Sequence, residues 1–259
     1  MTGPSLGGVF SARSRTQIAA MLKVQAKLSL REPHALGVGV GLPAVLLVVF
    51  GLISNNVSGN VAGTGLSVID LYVPTLMVVS FVAIAISLPN MLVRDREIGW
   101  LRRISTTPVH PSRLLAVQLL VNLMLAAVAI VIIVVGGDVI FGAPLSVSIP
   151  YFVLSLVLGI AEIFSLGLVV VALAPNQTVS QTIGGVLFFA LLFLSGLWVQ
   201  PVQVAVPLRE IMWYSPAGAA SRALLYSVFH VAPPVQTLLA LVGYTVVFSY
   251  VATRYFRWE

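Results

Sequence analysis

The sequence predicts an all-α membrane protein with six transmembrane helices, and three observations carry that prediction. The 259 residues are 59% hydrophobic and only 8% charged, whereas a soluble domain is about 25% charged. Six apolar segments are long enough to cross a bilayer, which takes about 20 residues as a helix. The basic residues cluster in alternate connections, as expected for a multi-span protein. A soluble enzyme and a disordered chain are therefore both excluded.

The six predicted spans are separated by polar or proline-containing connections. They cover residues 35–53, 69–93, 114–135, 148–174, 180–199 and 235–253. The second contains Pro74 and Pro89, which are expected near its ends, where a missing backbone N–H costs least. Residues 1–34 are then a cytoplasmic tail with an interfacial helix, and residues 35–259 are one six-span domain.

The positions of lysine and arginine orient these spans. Twelve of the fourteen basic residues lie in the N-terminal segment, in the 94–113 loop or in the C-terminal tail, and residues 54–68 and 136–147 contain none. Cytoplasmic loops carry the excess of Lys and Arg. Both termini and the 94–113 loop are therefore predicted to be cytoplasmic, which places residues 200–234 outside.

Residues 16–31 are predicted to form an amphipathic helix in the headgroup layer. Lys23, Lys27 and Arg31 recur every four residues and so share one helical face, which would turn toward anionic lipid. Pro33 ends this helix before the first span. The residues alone leave two interpretations open, a simple anchor and an anchor that also touches a cytoplasmic partner.

The loop at 94–113 has the pattern of a helix that docks on another protein. Leu101 and Ile104 share an apolar face, Trp100 lies among charges of both signs, and Pro108 closes the segment. A positive-inside anchor would explain the arginines but neither the Glu-x-Gly-x-Leu pattern nor the terminating proline. The docking interpretation is therefore favoured.

Residues 200–234 are predicted to form a hairpin of two short helices, over 208–214 and 217–229. Ser215 followed by Pro216 is typical of a helix N-cap with proline at the first helical position. Such a pair indicates a re-entrant hairpin, which survives at membrane depth only where it is buried in protein or faces water.

The second short helix also carries Arg222, Tyr226 and His230 at intervals of four residues. This spacing predicts a polar stripe on one helical face. The stripe either lines an exit pathway or anchors the hairpin at the interface, and the sequence does not separate these two roles.

Two features inside the predicted spans are candidates for a pathway or an interface. Glu162 lies near the middle of the fourth span, where an ionisable group is costly and usually faces a bundle interior. It is either a substrate or proton contact or a strut between helices. Phe188, Phe189, Phe193 and Trp198 form an aromatic stripe on the fifth span that faces either an amphipathic substrate or lipid.

Several kinds of chemistry are missing from the sequence. It contains no phosphate-binding G-x-x-x-x-G-K-[ST] loop, no H-E-x-x-H zinc motif and no G-x-S-x-G nucleophile elbow. With no cysteine and only three histidines, a catalytic or metal centre is not expected. The net charge of +6 is accounted for by the loops and does not indicate nucleic-acid binding. No cofactor is expected on this chain.

Two stretches make the chain resemble the membrane subunit of an ABC-2 type ATP-binding-cassette exporter. Residues 96–108 resemble the coupling segment R-E-x-G-T-L-x-x-L-x-x-x-P of that family, with Trp100 in place of the usual small residue and Ile104 at a leucine position. Residues 194–198 and 213–220 resemble the stretch before the last span in bacterial drug and antibiotic exporters, of the daunorubicin type.

The resemblance implies a bacterial plasma-membrane permease that exports a hydrophobic or amphipathic molecule, as in multidrug efflux. It implies a second permease, copy or paralogue, and two ABC ATPase subunits that bind the ATP and Mg²⁺. The implied ATPase-coupling residues are Arg96, Glu97, Gly99, Trp100, Leu101, Ile104 and Pro108. The alternatives are a lipid or lipid-linked glycan exporter of the same architecture, and a non-ATP channel or scaffold protein.

Overall fold

The computed structural model describes residues 36–56, 67–97, 111–142 and 147–255, and in these ranges the regular structure is helical. A π-helical turn at Gly37–Gly41 leads into the first helix. In chain order the helices are α1 Leu42–Asn56, α2 Val68–Glu97, α3 Pro111–Phe141, α4 Ile149–Leu173, α5 Gln177–Leu194, α6 Val206–Tyr214, α7 Pro216–Val228 and α8 Val235–Tyr255. A short 3₁₀ turn at Pro201–Gln203 precedes α6.

Six of these helices are long and apolar enough to cross a membrane. They are α1 with its preceding turn, α2, α3, α4, α5 and α8. The sequence-based prediction of an all-α, six-span membrane protein is therefore confirmed, and the short helices α6 and α7 lie between the fifth and sixth spans.

The ends of α3 and α5 differ from the predicted ends because glycine geometry and an asparagine cap fix them. α3 continues through Gly136 and Gly137 to Phe141, and Gly142 ends it with a positive φ of 60°. α5 starts earlier than predicted, since Asn176 caps it by accepting a hydrogen bond from the Val179 N–H.

α5 also stops five residues short of the predicted 199, in a Schellman turn. Gly196 has a φ of 91°, and the N–H of Leu197 donates to the Leu192 carbonyl at 3.3 Å. A glycine in this left-handed conformation commonly ends a helix. Trp198 consequently lies beyond the helix, and the expected stripe of four aromatic residues on one helix is wrong at that position.

α2 is the centre of the bundle. Residues 73–85 are all buried, and α2 packs against α1, α3, α4, α5 and α7. Pro89 lies well inside this helix, contrary to the expected place near its end, and removes the N–H that would bond the Ala85 carbonyl. Gly167 of α4 lies over that carbonyl, where a Cβ would come within 2.6 Å of the oxygen.

α7 lies beside the first half of α4 and runs antiparallel to it. The Ser148 N–H donates to the Ser227 carbonyl at 3.0 Å, and the Ser155 hydroxyl donates to the Ala223 carbonyl at 3.1 Å. Because successive α4 residues meet earlier residues of α7, Gly159 comes to lie against Ala220, about 16 Å along α4 from Ser148 at the helical rise of about 1.5 Å.

The predicted cap of α7 is present. The Ser215 hydroxyl accepts a hydrogen bond from the Gly218 N–H at 3.2 Å, and Pro216 is the first helical residue. At the other end, α7 stops at Val228, and His230 has a φ of 56° outside the helix. The predicted polar stripe is therefore wrong for His230, while Arg222 and Tyr226 remain one turn apart on α7.

Candidate functional site

The last turn of α2 holds the short connection between α4 and α5. Arg96 Nη2 donates to the carbonyl oxygen of Ala174 and, at 3.2 Å, to that of Pro175. Ala174 and Pro175 directly follow the C-terminal end of α4, where a positive side chain is favoured. Arg96 therefore fixes the end of the fourth span to the end of the second.

Glu97 makes the complementary contact with the next helix. Its Oε1 accepts a hydrogen bond from the N–H of Gln177, the first residue of α5, at 3.0 Å. The N–H groups of a first turn have no partner inside the helix, and a negative charge is favoured there. The adjacent residues Arg96 and Glu97, called here the α2 clamp, thus match opposite helix ends with opposite charges.

Packing beneath the α2 clamp joins the same three helices. Leu92, Val93, Val171 and Ala174 form a buried apolar cluster. Deeper in the bundle, the buried Ser180 hydroxyl of α5 donates to Asn90 Oδ1 of α2 at 3.3 Å. An apolar cluster and hydrogen bonds therefore connect the end of α2 to both α4 and α5.

The opposite end of the bundle carries the α6–α7 hairpin. Thr75 of α2 and Ser221 of α7 share a buried hydroxyl–hydroxyl hydrogen bond of 3.1 Å. Gly218 packs so tightly that a Cβ there would overlap the Met212 carbonyl oxygen and approach that of Leu194 to 2.8 Å. The hairpin is thus anchored to α2, to α4 and to the end of α5.

Glu162 is fully buried in α4, one turn beyond the contact between Gly159 and Ala220 of α7. Neither carboxylate oxygen has a hydrogen-bond partner among the described residues. α4 packs against α8, and the hydroxyl of Tyr244 on α8 donates to the Tyr214 carbonyl at 2.8 Å. The carboxylate therefore lies where α4, α8 and the hairpin meet.

The profile of the ABC-2 type transporter family matches residues 16–229. The chain belongs to this family. The matched region contains the amphipathic segment, five of the six spans and the whole hairpin, and it ends just after α7. Comparison with curated proteins finds no match.

Membership makes the chain a transport permease, and permeases of this ABC-2 type generally work with ABC ATPase partners. The α2 clamp lies at the start of the segment that resembles the family's coupling motif. Two of the seven predicted coupling residues, Arg96 and Glu97, are within the described residues, and both contact their own chain.

The other predicted coupling and interfacial residues lie outside the described residues. These are Gly99, Trp100, Leu101, Ile104 and Pro108 of the predicted coupling segment, and Lys23, Lys27 and Arg31 of the predicted amphipathic helix.

The aromatic candidates of α5 divide between the core and the outer surface. Phe188 packs against the central apolar cluster, and its ring meets Phe189 edge-on at 5.7 Å. Phe189, Phe193 and Trp198 are exposed on the single chain. The structure therefore does not bring the four rings together into one surface.

Sequence reasoning missed the partners of the α2 clamp. The carbonyls belong to Ala174 and Pro175 of the three-residue connection Ala174-Pro175-Asn176, and the N–H belongs to Gln177 at the start of α5. The predicted topology was one signal that could have indicated these partners, because six alternating spans put this connection on the same side of the membrane as the 94–113 loop. Which residues meet there depends on packing that periodicity does not describe.

Proposed function

We propose that this chain is the permease subunit of an ATP-driven exporter in a bacterial cytoplasmic membrane. Its family and the missing phosphate-binding loop support a permease that depends on separate ATPase subunits. The observation that carries the proposal is the α2 clamp, since it connects the start of the coupling segment to the end of α4 and the start of α5.

In the proposed mechanism two ATPase subunits, which bind ATP and Mg²⁺, dock on residues 98–108 and on the 16–31 helix. Closure of the ATPase pair displaces the coupling segment. Arg96 and Glu97 then pull the ends of α4 and α5 together with α2, so that three spans move in response to one docking contact. This chain contributes no residue to ATP hydrolysis.

The proposed cargo is a hydrophobic or amphipathic molecule such as a drug, an antibiotic or a lipid-like compound. Glu162 is the one carboxylate in the interior of the described spans, and α5 presents exposed Val186, Phe189 and Phe193. A surface of this kind suits apolar groups better than small ions. A lipid-linked glycan exporter of the same architecture is the second candidate.

The proposed exporter contains two permeases, either two copies or a copy and a paralogue. The exposed apolar faces of α1 and α5, such as Val48, Leu52 and Phe189, are available to a second permease or to lipid. The hairpin would lie on the outer side, at the exit.

The first experiment is co-purification of the full chain with a candidate ATPase subunit. Leu101→Asp places a charge in the proposed docking face, and Leu208→Asp makes the same change on α6 at the opposite end. We expect Leu101→Asp to abolish ATPase binding and Leu208→Asp to leave it intact. Binding unaffected by Leu101→Asp would contradict the assigned docking segment, and no ATPase binding to wild type would favour a channel or scaffold.

A second experiment separates docking from transmission. In the reconstituted complex, Arg96→Gln removes the guanidinium that holds the α4 end while leaving the 98–108 segment unchanged. We expect normal ATPase binding, with less cargo moved for each ATP hydrolysed. Loss of ATPase binding in this variant would instead make Arg96 part of the docking surface.

A further inference from the structure

Two arginines at the hairpin share one aromatic ring. The guanidinium carbon of Arg222, on α7, lies 4.3 Å from the ring centroid of Trp213, and that of Arg209, on α6, lies 5.0 Å from the same ring. Tyr214 and Tyr226 flank Arg222 at 5.5 and 5.8 Å. Two positively charged side chains therefore contact the ring of Trp213, and two further aromatic rings lie beside Arg222.

These charges have no anionic partner among the described residues. Nε of Arg209 and both Nε and Nη1 of Arg222 are buried without a hydrogen bond. Neither guanidinium forms an ion pair with a carboxylate in the part of the chain that the structure describes, and Glu210, next to Arg209 in sequence, is exposed. Contact with an aromatic face offsets only part of the cost of removing a guanidinium from water.

The remaining guanidinium nitrogens are free to take a ligand. Nη2 of Arg222 and both Nη atoms of Arg209 retain some exposed surface, and they make no hydrogen bond to any described residue. Planar guanidinium groups with free N–H donors suit the oxygens of a phosphate or carboxylate.

The depth of the site matches a lipid headgroup. Ser227, level with the start of α4, marks the hairpin end of the bundle. Ala223, the neighbour of Arg222, contacts Ser155, which lies about 10 Å along α4 from Ser148 at the helical rise of about 1.5 Å. The polar layers on the two sides of a bilayer add roughly 10–15 Å in all to the hydrocarbon core, so a hairpin end at the membrane surface would place Arg222 close to the boundary between headgroups and acyl chains.

We propose that Arg209, Trp213 and Arg222 form a binding site for the phosphodiester of an anionic phospholipid, with the free guanidinium N–H groups donating to its oxygens. Two uncompensated positive charges favour a headgroup with net negative charge over a zwitterionic one. The indole and phenol rings would contact the glycerol and upper acyl region. A bound lipid would bridge α6 and α7 and hold the hairpin closed.

The test uses the full chain with Trp213 as its single tryptophan, through Trp100→Phe, Trp198→Phe and Trp258→Phe. Quenching of its fluorescence in detergent micelles is measured with phosphatidylglycerol or phosphatidylcholine carrying identical brominated acyl chains. We expect half-maximal quenching at an about tenfold lower fraction of phosphatidylglycerol, the ratio that corresponds to one charge-assisted contact of about 1.4 kcal/mol.

Matched variants assign the preference to the site. Arg222→Gln should reduce it to less than about twofold, Arg222→Lys should retain part of it, and Arg254→Gln, which removes an exposed charge from the end of α8, should leave it unchanged. If Arg222→Gln does not purify as a monodisperse protein, Arg209→Gln provides the same comparison.

Three results would overturn the proposal. Equal quenching by the two lipids in the unsubstituted site would show that charge is not recognised. A preference unaffected at Arg222 and Arg209 would place it elsewhere. Loss of the preference on adding inorganic phosphate, at ionic strength matched with chloride, would show that the site selects free phosphate over the lipid phosphodiester.

Discussion

Removing the Glu97 carboxylate should release the first turn of α5. Its Oε1 is the acceptor for the Gln177 N–H at 3.0 Å. A hydrogen bond to a charged group contributes about 1.5–3 kcal/mol when it is shielded from water. Because the Glu97 side chain is exposed, water competes for this bond, and about 0.5–1 kcal/mol is the realistic contribution. Glu97→Ala should therefore raise local opening at Gln177 about two- to fivefold.

Arg96→Ala should have the larger effect at the same connection. It removes the two hydrogen bonds that Arg96 donates to the carbonyls of Ala174 and Pro175. Of these two acceptor residues, Ala174 is buried. An unsatisfied buried acceptor costs about 1–3 kcal/mol. Since Arg96 is only partly buried, we expect about 1–2 kcal/mol, or a five- to thirtyfold increase in opening.

Hydrogen–deuterium exchange of peptides covering residues 174–180 measures both effects in the purified chain. Glu210→Ala removes an exposed carboxylate at the opposite end of the bundle and should leave these peptides unchanged. Equal exchange in wild type, Arg96→Ala and Glu97→Ala would refute the α2 clamp. An increase at the hairpin as large as that at residues 174–180 would indicate general destabilisation.

Four further predictions concern stability, and the midpoint of denaturation in detergent measures each of them. Gly218→Ala forces a Cβ into backbone carbonyl oxygens and should cost 1–3 kcal/mol or more. Gly167→Ala should cost about 1–3 kcal/mol for the same reason. The control Gly185→Ala should be neutral or stabilising, because a Cβ there meets nothing within 4 Å. Equal effects of the two substitutions on the midpoint would contradict the close approach of α2 and α4. Ser215→Ala should cost about 1 kcal/mol by removing the α7 cap. Glu162→Gln removes a buried carboxylate without hydrogen bonds and should leave the midpoint unchanged or raise it; a large loss would show that the carboxylate has a stabilising partner.

Most of the fold could be predicted because its signals are local. Each span follows from a run of apolar residues, and the start of α7 follows from the Ser215-Pro216 pair, whose cap geometry involves only the neighbouring turn. Errors arose where helix ends depend on backbone conformation. Gly196 and Gly142 adopt positive φ, whereas Gly136 and Gly137 remain helical, and hydrophobicity does not distinguish these cases.

The sequence predicted the two side chains of the candidate site but not the groups that they contact. Arg96 and Glu97 were selected because they match a motif, and the motif suggested an external partner for both. Their partners in the structure are two main-chain carbonyls and one main-chain N–H. Every residue type has a backbone carbonyl group, so a contact with such a group does not require a particular residue and produces no sequence pattern.

The sequence by itself therefore determined the number of spans and the presence of the hairpin, because hydrophobicity and capping act over a few neighbouring residues. It also showed directly that the chain has no ATP-hydrolysing motif. Only the tertiary structure decided that α2 holds the α4–α5 connection and that Arg209 and Arg222 share Trp213. Only it decided that Phe188 faces the core while Phe189 faces outward. These outcomes depend on how helices distant in sequence pack against each other, which the order of residues in any one segment does not specify.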